Sequence, residues 1–158
     1  MAAGSPMAGR QERIGDVIGE VFAAGSDEEA TAQLGQGPFV GGVTDAVAVG
    51  ELTSLEFDAL QSVLTGVSFQ DVLGSGGGGL VDTRGDTGPW VSRVRPRLVE
   101  AMAEVNGAHA DQIARRWADR DEVEDVSADT LSVILGPLSD LARAAIARGQ
   151  HLYLWNSL

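Results

Sequence analysis

The chain has 158 residues, 44% of them hydrophobic, with 23 acidic residues against 11 basic ones and a formal net charge of −12. This length and composition are typical of one folded domain and exclude a disordered chain. The negative charge disfavours direct binding to nucleic acid, and the absence of cysteine excludes disulfides and cysteine-ligated zinc.

The amino-terminal region predicts a flexible leader followed by a helix. Residues 1–11 are rich in small residues and lack the apolar core of a secretory signal. Apolar residues then recur at helical spacing, which predicts a helix over 12–24 that Gly25 ends. The residues of this stripe are Ile14, Val17, Ile18, Val21 and Phe22. No apolar run reaches the ~18 residues of a membrane span, so we expect no membrane contact and a cytoplasmic location.

Two capping boxes predict the next helices. Ser26 with Glu29 begins a short helix that ends near Gly35, and Thr53 with Glu56 begins a second one that ends at Gly66. The residues that we expect to face inward from the second helix are Leu55, Leu60, Val63 and Leu64. Between the two helices, β-branched residues and glycines over 39–49 predict a strand, or a strand and a turn.

Glycine dominates the middle of the chain. Five of the six residues 74–79 are glycine, and glycine recurs at 85 and 88, so we expect a flexible surface loop near 74–88. Gly74, Gly76 and Gly79 match the dinucleotide-binding fingerprint by letter. That motif requires a helix directly after it, and residues 81–85 do not resemble a helix start. We therefore predict no nucleotide or other cofactor.

The last third of the chain alternates between strand and helix patterns. Residues 90–94 predict a strand that Pro96 ends, two short helices follow, and Ser127 is in place to cap a long helix that runs to Arg148. Pro137 either kinks that helix or restarts it. Residues 151–155 predict a final strand in the same sheet as 90–94. The fold class is therefore α+β: several short helices packed on a small mixed or antiparallel sheet that includes the carboxy-terminal strand, in a single domain over 12–158.

Three segments resemble the YfbM-like family of bacterial proteins of unknown function. These are residues 60–66 (LQSVLTG), residues 91–94 followed by 96–98, and residues 144–149 running into 152–155. The resemblance covers roughly residues 50–158. Phe57 and Gln61 stand where the family has a tryptophan and a histidine. The resemblance implies an α+β fold and no known activity.

An acidic run provides the candidate binding site. It consists of Asp119, Asp121, Glu122, Glu124 and Asp125. A calcium loop that began at Asp119 would need glycine at its sixth position and glutamate at its twelfth, and the chain has Glu124 and Thr130 there. We therefore predict no metal site. The run is either a solvated loop or an acidic face for a partner with a basic surface.

Other polar residues give no catalytic pattern. The two histidines, His109 and His151, are far apart in sequence, and no serine lies in a nucleophile elbow. Arg93, Arg95 and Arg97 alternate with apolar residues and would share one face of a strand, where they either grip an anion or pair with acids. We predict no catalytic residues and no enzymatic activity.

These observations favour a non-enzymatic, acidic protein-binding domain. One specific form is an immunity or antidote protein that neutralises a basic toxin, because a small, strongly acidic domain is complementary to such a partner. The alternative is a small-molecule-binding or enzymatic domain with a pocket between the helices and the sheet.

Overall fold

A five-stranded antiparallel sheet forms the centre of the protein in the computed structural model, which describes residues 18–43, 45–86 and 88–158. Its strands are β1 (Ile18–Ala24), β2 (Val47–Gly50), β3 (Gly79–Thr83), β4 (Trp90–Arg93) and β5 (His151–Ser157), in the order β2-β1-β5-β4-β3. The helices in this part of the chain are α1 (Asp27–Thr31), α2 (Ser54–Thr65), α3 (Phe69–Gly74), α4 (Pro96–Ala103), α5 (Ala110–Ala118) and α6 (Ala128–Ala147). The α+β fold and the strand at the carboxy terminus are thereby confirmed. The predicted leader, residues 1–11, lies outside the described residues.

Both faces of the sheet are covered. Val21, Leu152 and Leu154 belong to the main core, which α2, α4, α5 and α6 complete. Phe22 and Tyr153 belong to a second, smaller core under α1 and the segment that follows it. A strand that is buried on both sides needs apolar residues at consecutive positions, which is why 152–155 reads as an unbroken apolar run.

The predicted helix over 12–24 is wrong for the part that the structure describes, because residues 18–24 form β1. Val21 and Phe22 point to opposite faces of the sheet and enter different cores, whereas the helix prediction placed them on one stripe. β1 lies between β2 and β5, so long-range pairing decides its conformation. Gly19 is required there, since a Cβ atom would lie 2.8 Å from the Asn156 amide nitrogen and 3.2 Å from the Leu52 carbonyl oxygen.

Local signals located the starts of α1 and α2 and the end of α2 correctly, but α1 ends at Thr31 and not near Gly35. The Ser26 hydroxyl accepts a hydrogen bond from the Glu29 amide at 3.2 Å, and Thr53 and Glu56 form the predicted capping box. Gly66 ends α2 in the left-handed conformation. Leu55 departs from the prediction, because it is 46% exposed at the first turn of α2. Of the two alternatives predicted for 39–49, the structure has the strand and a turn: residues 39–42 form turns, and the strand is β2.

The predicted loop near 74–88 is only partly a loop. Gly74 ends α3, and β3 begins at Gly79 and pairs with β4 at the edge of the sheet. The fingerprint glycines are therefore followed by a strand and not by the helix that a dinucleotide site needs.

The longest described helix, α6, is the centre of the main core. It continues through Pro137 without a restart, and Ser127 caps its first turn as predicted. Its length and composition would also allow it to cross a membrane, a property that core helices of soluble proteins share. Leu131, Leu135 and Leu138 are fully buried in this helix, which accounts for its apolar character.

Candidate acidic recess

Most of the predicted acidic residues line one recess, of about 440 Å³, between the α5–α6 loop and the start of α2. We call it the acidic recess. Its lining residues are Glu51, Leu55, Glu56, Asp121, Glu122, Glu124, Asp125 and Val126. Asp119 is not among them. It is the exposed residue that ends α5, where its amide donates to the Arg115 carbonyl oxygen at 3.0 Å.

The loop wall of the recess is held by its apolar and capping residues. Val123 is buried, and its amide donates to the Arg120 carbonyl oxygen at 3.0 Å in a turn. Asp125 has a φ of 60°, a left-handed conformation that is uncommon outside glycine. Ser127 then caps α6 by accepting from the Thr130 amide at 3.2 Å. The neighbouring acids are therefore held out on a short, anchored loop.

The opposite wall comes from the β2–α2 connection, about 70 residues earlier in the chain. The Trp117 indole nitrogen of α5 donates to the Glu56 carbonyl oxygen at 2.8 Å, which ties α5 and its following loop to the first turn of α2. Sequence reasoning missed Glu51 and Glu56 as part of the site. The capping box predicted the role of Glu56 in its own helix, but no local signal placed it beside 121–125.

The six carboxylates of the recess differ in their bonding partners. Glu122 pairs with Arg120 at 3.1 Å, and Glu56 accepts from the Thr53 amide at 2.6 Å. Asp121, Glu124 and Asp125 are exposed and have no hydrogen bond or ion pair to any described residue. This leaves three uncompensated negative charges within five residues of chain.

The described carboxylates of the recess are not arranged to bind a metal ion. Within residues 18–43, 45–86 and 88–158, no three acidic or histidine side chains lie close enough together to hold a metal ion. Both histidines are exposed and lie outside the recess: His109 in the turn before α5 and His151 at the start of β5.

The three alternating arginines do not share a face, so that prediction is wrong. β4 ends at Arg93, Arg95 precedes α4, and Arg97 lies within α4. The chain changes from strand to helix between them because Pro96 is favoured at the first helical position. Each arginine pairs with a different acid: Arg93 with Asp27 at 2.6 Å, Arg95 with Asp58 at 2.9 Å and Arg97 with Glu100 at 3.9 Å.

One of these pairs is part of a polar cluster on the second face of the sheet. Asp27 accepts from the Arg93 guanidinium at 2.6 Å and from the Tyr153 hydroxyl at 2.8 Å. The hydrogen bond from Arg93 lowers the pKa of Asp27. Burial, with a smaller contribution from the bond to Asp27, raises the pKa of Tyr153 to about 12. The cluster ties α1 to the sheet.

No family model, no curated protein and no solved structure matches this chain. The resemblance to the YfbM-like family therefore stays a prediction.

Proposed function

We propose that the protein is a non-enzymatic, cytoplasmic binding domain that docks a basic surface of a partner protein in the acidic recess. The observation that supports this most is the set of unpaired carboxylates of Asp121, Glu124 and Asp125 along one wall. Uncompensated like charges disfavour the folded state, so their placement together is best explained by a partner that neutralises them.

The size and lining of the recess favour lysine and arginine side chains as its occupants. Its volume of about 440 Å³ far exceeds that of an ion. Leu55, which is 46% exposed, and Val126 add apolar surface between the acids. The methylene stems of long basic side chains bury themselves against such surface while the charged ends reach carboxylates.

The charge of the whole protein supports the same choice. A net charge of −12 attracts a basic protein from a distance and raises the rate of encounter. The attraction is screened by salt, so we expect association to slow markedly as ionic strength rises. A partner held by apolar contacts alone would lack this dependence.

A narrower form of the proposal is that the partner is a basic toxin and the protein its antidote. It rests on the same charge complementarity and on the small size of the domain. It requires that the partner harms cells when expressed alone and that this chain suppresses the harm. A partner that is harmless alone would leave the broader binding function in place and remove the antidote role.

Affinity capture from the protein's own host cells tests the proposal, with two triple variants beside the wild type. The recess variant carries Asp121→Asn, Glu124→Gln and Asp125→Asn. The control variant carries Glu28→Gln, Asp86→Asn and Glu104→Gln, which neutralise exposed acids outside the recess. Both variants change the net charge by the same three units.

We expect the wild type and the control variant to retain one stoichiometric basic protein, identified by mass spectrometry, and the recess variant to lose it. Loss of about three charged contacts should weaken binding at least ~100-fold. Equal capture by the recess variant and the wild type, or recovery of no basic protein, would overturn the proposal.

A further inference from the structure

A small cavity between α2, β4 and the glycine-rich segment shares no residue with the acidic recess. Its volume is about 100 Å³. Phe57, Leu98 and Leu154 give it apolar walls, and Asp58, Ser92 and Arg95 give it polar groups. We call it the serine cavity. It lies between the helices and the sheet, where the sequence left open a pocket for a small molecule.

The charged groups of the serine cavity neutralise each other. The Arg95 Nε donates to the Asp58 carboxylate at 2.9 Å, and the two side chains are only 13% and 14% exposed. The Arg93 guanidinium does not contribute, because it binds Asp27 and lies over the Tyr153 ring on the other face of the sheet. The charges of Arg95 and Asp58 therefore cancel, and these two side chains give the cavity no net charge.

The hydroxyl groups of the cavity are its available hydrogen-bonding partners. Ser92 lies opposite Leu154 in the sheet, so its side chain points to the helix-covered face. Its hydroxyl has no hydrogen-bond partner in the described part of the chain, and neither has that of Ser54 at the mouth of the cavity. The Ser92 hydroxyl is therefore free to bond to a ligand that enters the cavity.

Arg95 also fixes the rim of the cavity. Its Nη1 donates to the Gly76 carbonyl oxygen at 2.8 Å, which holds the glycine-rich segment beside β4. A Cβ atom on Gly78 would lie 2.7 Å from the Arg95 Cγ, so only glycine permits this close approach. Arg95 therefore balances the charge of Asp58 and also holds the glycine-rich segment at the rim of the cavity.

We propose that the serine cavity binds a small uncharged molecule that carries a primary amide or a hydroxyl group on a short apolar body. A charged ligand would be partly desolvated beside an ion pair whose charges already balance, so it would add an uncompensated charge to the cavity. An uncharged amide or hydroxyl pairs with Ser92 and places its apolar part against Phe57 and Leu98. The cavity is smaller than the ~150 Å³ that admits benzene, so we expect a ligand of about five heavy atoms.

Three probes of similar size test the ligand class: propionamide, propionate and propylammonium. Each is titrated into the isotope-labelled full chain while the backbone amide signals of Gly78 and Ser92 are followed by NMR. We expect saturable shifts with propionamide and binding that is about ten-fold weaker or more for both ions. Absence of saturable shifts with propionamide, or equal binding of either ion, would overturn the proposal.

Two substitutions sharpen the test. Ser92→Ala should weaken propionamide binding about ten-fold, whereas the control Ser157→Ala, outside the cavity, should leave it unchanged. Asp58→Asn leaves the Arg95 charge uncompensated, so propionate should then bind more tightly than propionamide. If Asp58→Asn does not fold, Ser92→Ala decides alone: unchanged propionamide binding in that variant contradicts the proposal. This result is independent of whether the acidic recess has a partner.

Discussion

Asp27 and the recess acids are exposed carboxylates with opposite surroundings. Asp27 receives a guanidinium and a phenol hydroxyl from the sheet, and these bonds attach α1 to β4 and β5. Asp121, Glu124 and Asp125 receive no such partner and lie beside further acids. The first arrangement stabilises the fold. The second opposes folding through repulsion, which is the reason for our proposal that these acids serve binding.

The larger expected effect is a loss of stability at alkaline pH, caused by the cluster of Asp27, Arg93 and Tyr153. The chain has one tyrosine, no lysine and no cysteine, so Tyr153 is the one side chain expected to titrate between pH ~9 and ~12. Its pKa is raised from 10.0 to about 12 in the folded protein, so the unfolded state loses the proton first. The stability from this group is present below pH 10 and is lost as pH rises towards 12. We expect the free energy of unfolding in urea to fall by on the order of 2 kcal/mol across this range.

Tyr153→Phe is the matched control, because it removes the titrating hydroxyl and keeps the ring against Phe22. The alkaline decline in stability should disappear in this variant, although it starts from a lower stability because the bond to Asp27 is lost. The same decline in both proteins, or tyrosinate absorbance of the folded wild type near pH 10, would show that the cluster does not hold Tyr153 as described.

The smaller expected effect is a gain in stability when acids of the recess are neutralised. Asp121→Asn with Glu124→Gln should stabilise the isolated protein by about 0.5 kcal/mol, because it removes repulsion among the recess acids. The control pair Glu28→Gln and Asp86→Asn should not stabilise it. Urea unfolding at low and high salt measures both pairs, and the gain should shrink as salt screens the repulsion. Destabilisation by the recess pair would mean that these acids serve the fold.

The sequence predicted the elements that local signals specify. The capping residues Ser26, Thr53 and Ser127 act within four residues of their partners. Pro96 fixes its own φ angle, and Gly66 permits the left-handed conformation that ends α2. β1 was mistaken for a helix because its conformation depends on pairing with β5, more than 120 residues away. β3 was missed because its first residue lies in a glycine run. Its strand conformation comes from antiparallel pairing with β4, which the local sequence does not reveal.

The residues of the acidic recess likewise divide into those that the local sequence predicts and those that only long-range contacts bring there. The run 121–125 was predicted because its acids are adjacent in sequence. Glu51 and Glu56 could not be predicted, since they join the site through the contact of α5 with α2 that Trp117 makes. The unused hydroxyl of Ser92 was equally hidden, because its surroundings come from the sheet register and from α2.

Carbodiimide crosslinking in a host-cell lysate tests most directly whether the acidic recess binds a basic partner. The reagent joins carboxylates to amines, and because the chain has no lysine, nearly all links must reach another molecule. Trypsin releases the recess loop as one peptide, 121–143, between Arg120 and Arg143. We predict that the lysines of a single basic protein are linked to residues 121–125 of this peptide. Links found as often at Glu28, Asp86 and Glu104 would contradict a binding function of the recess.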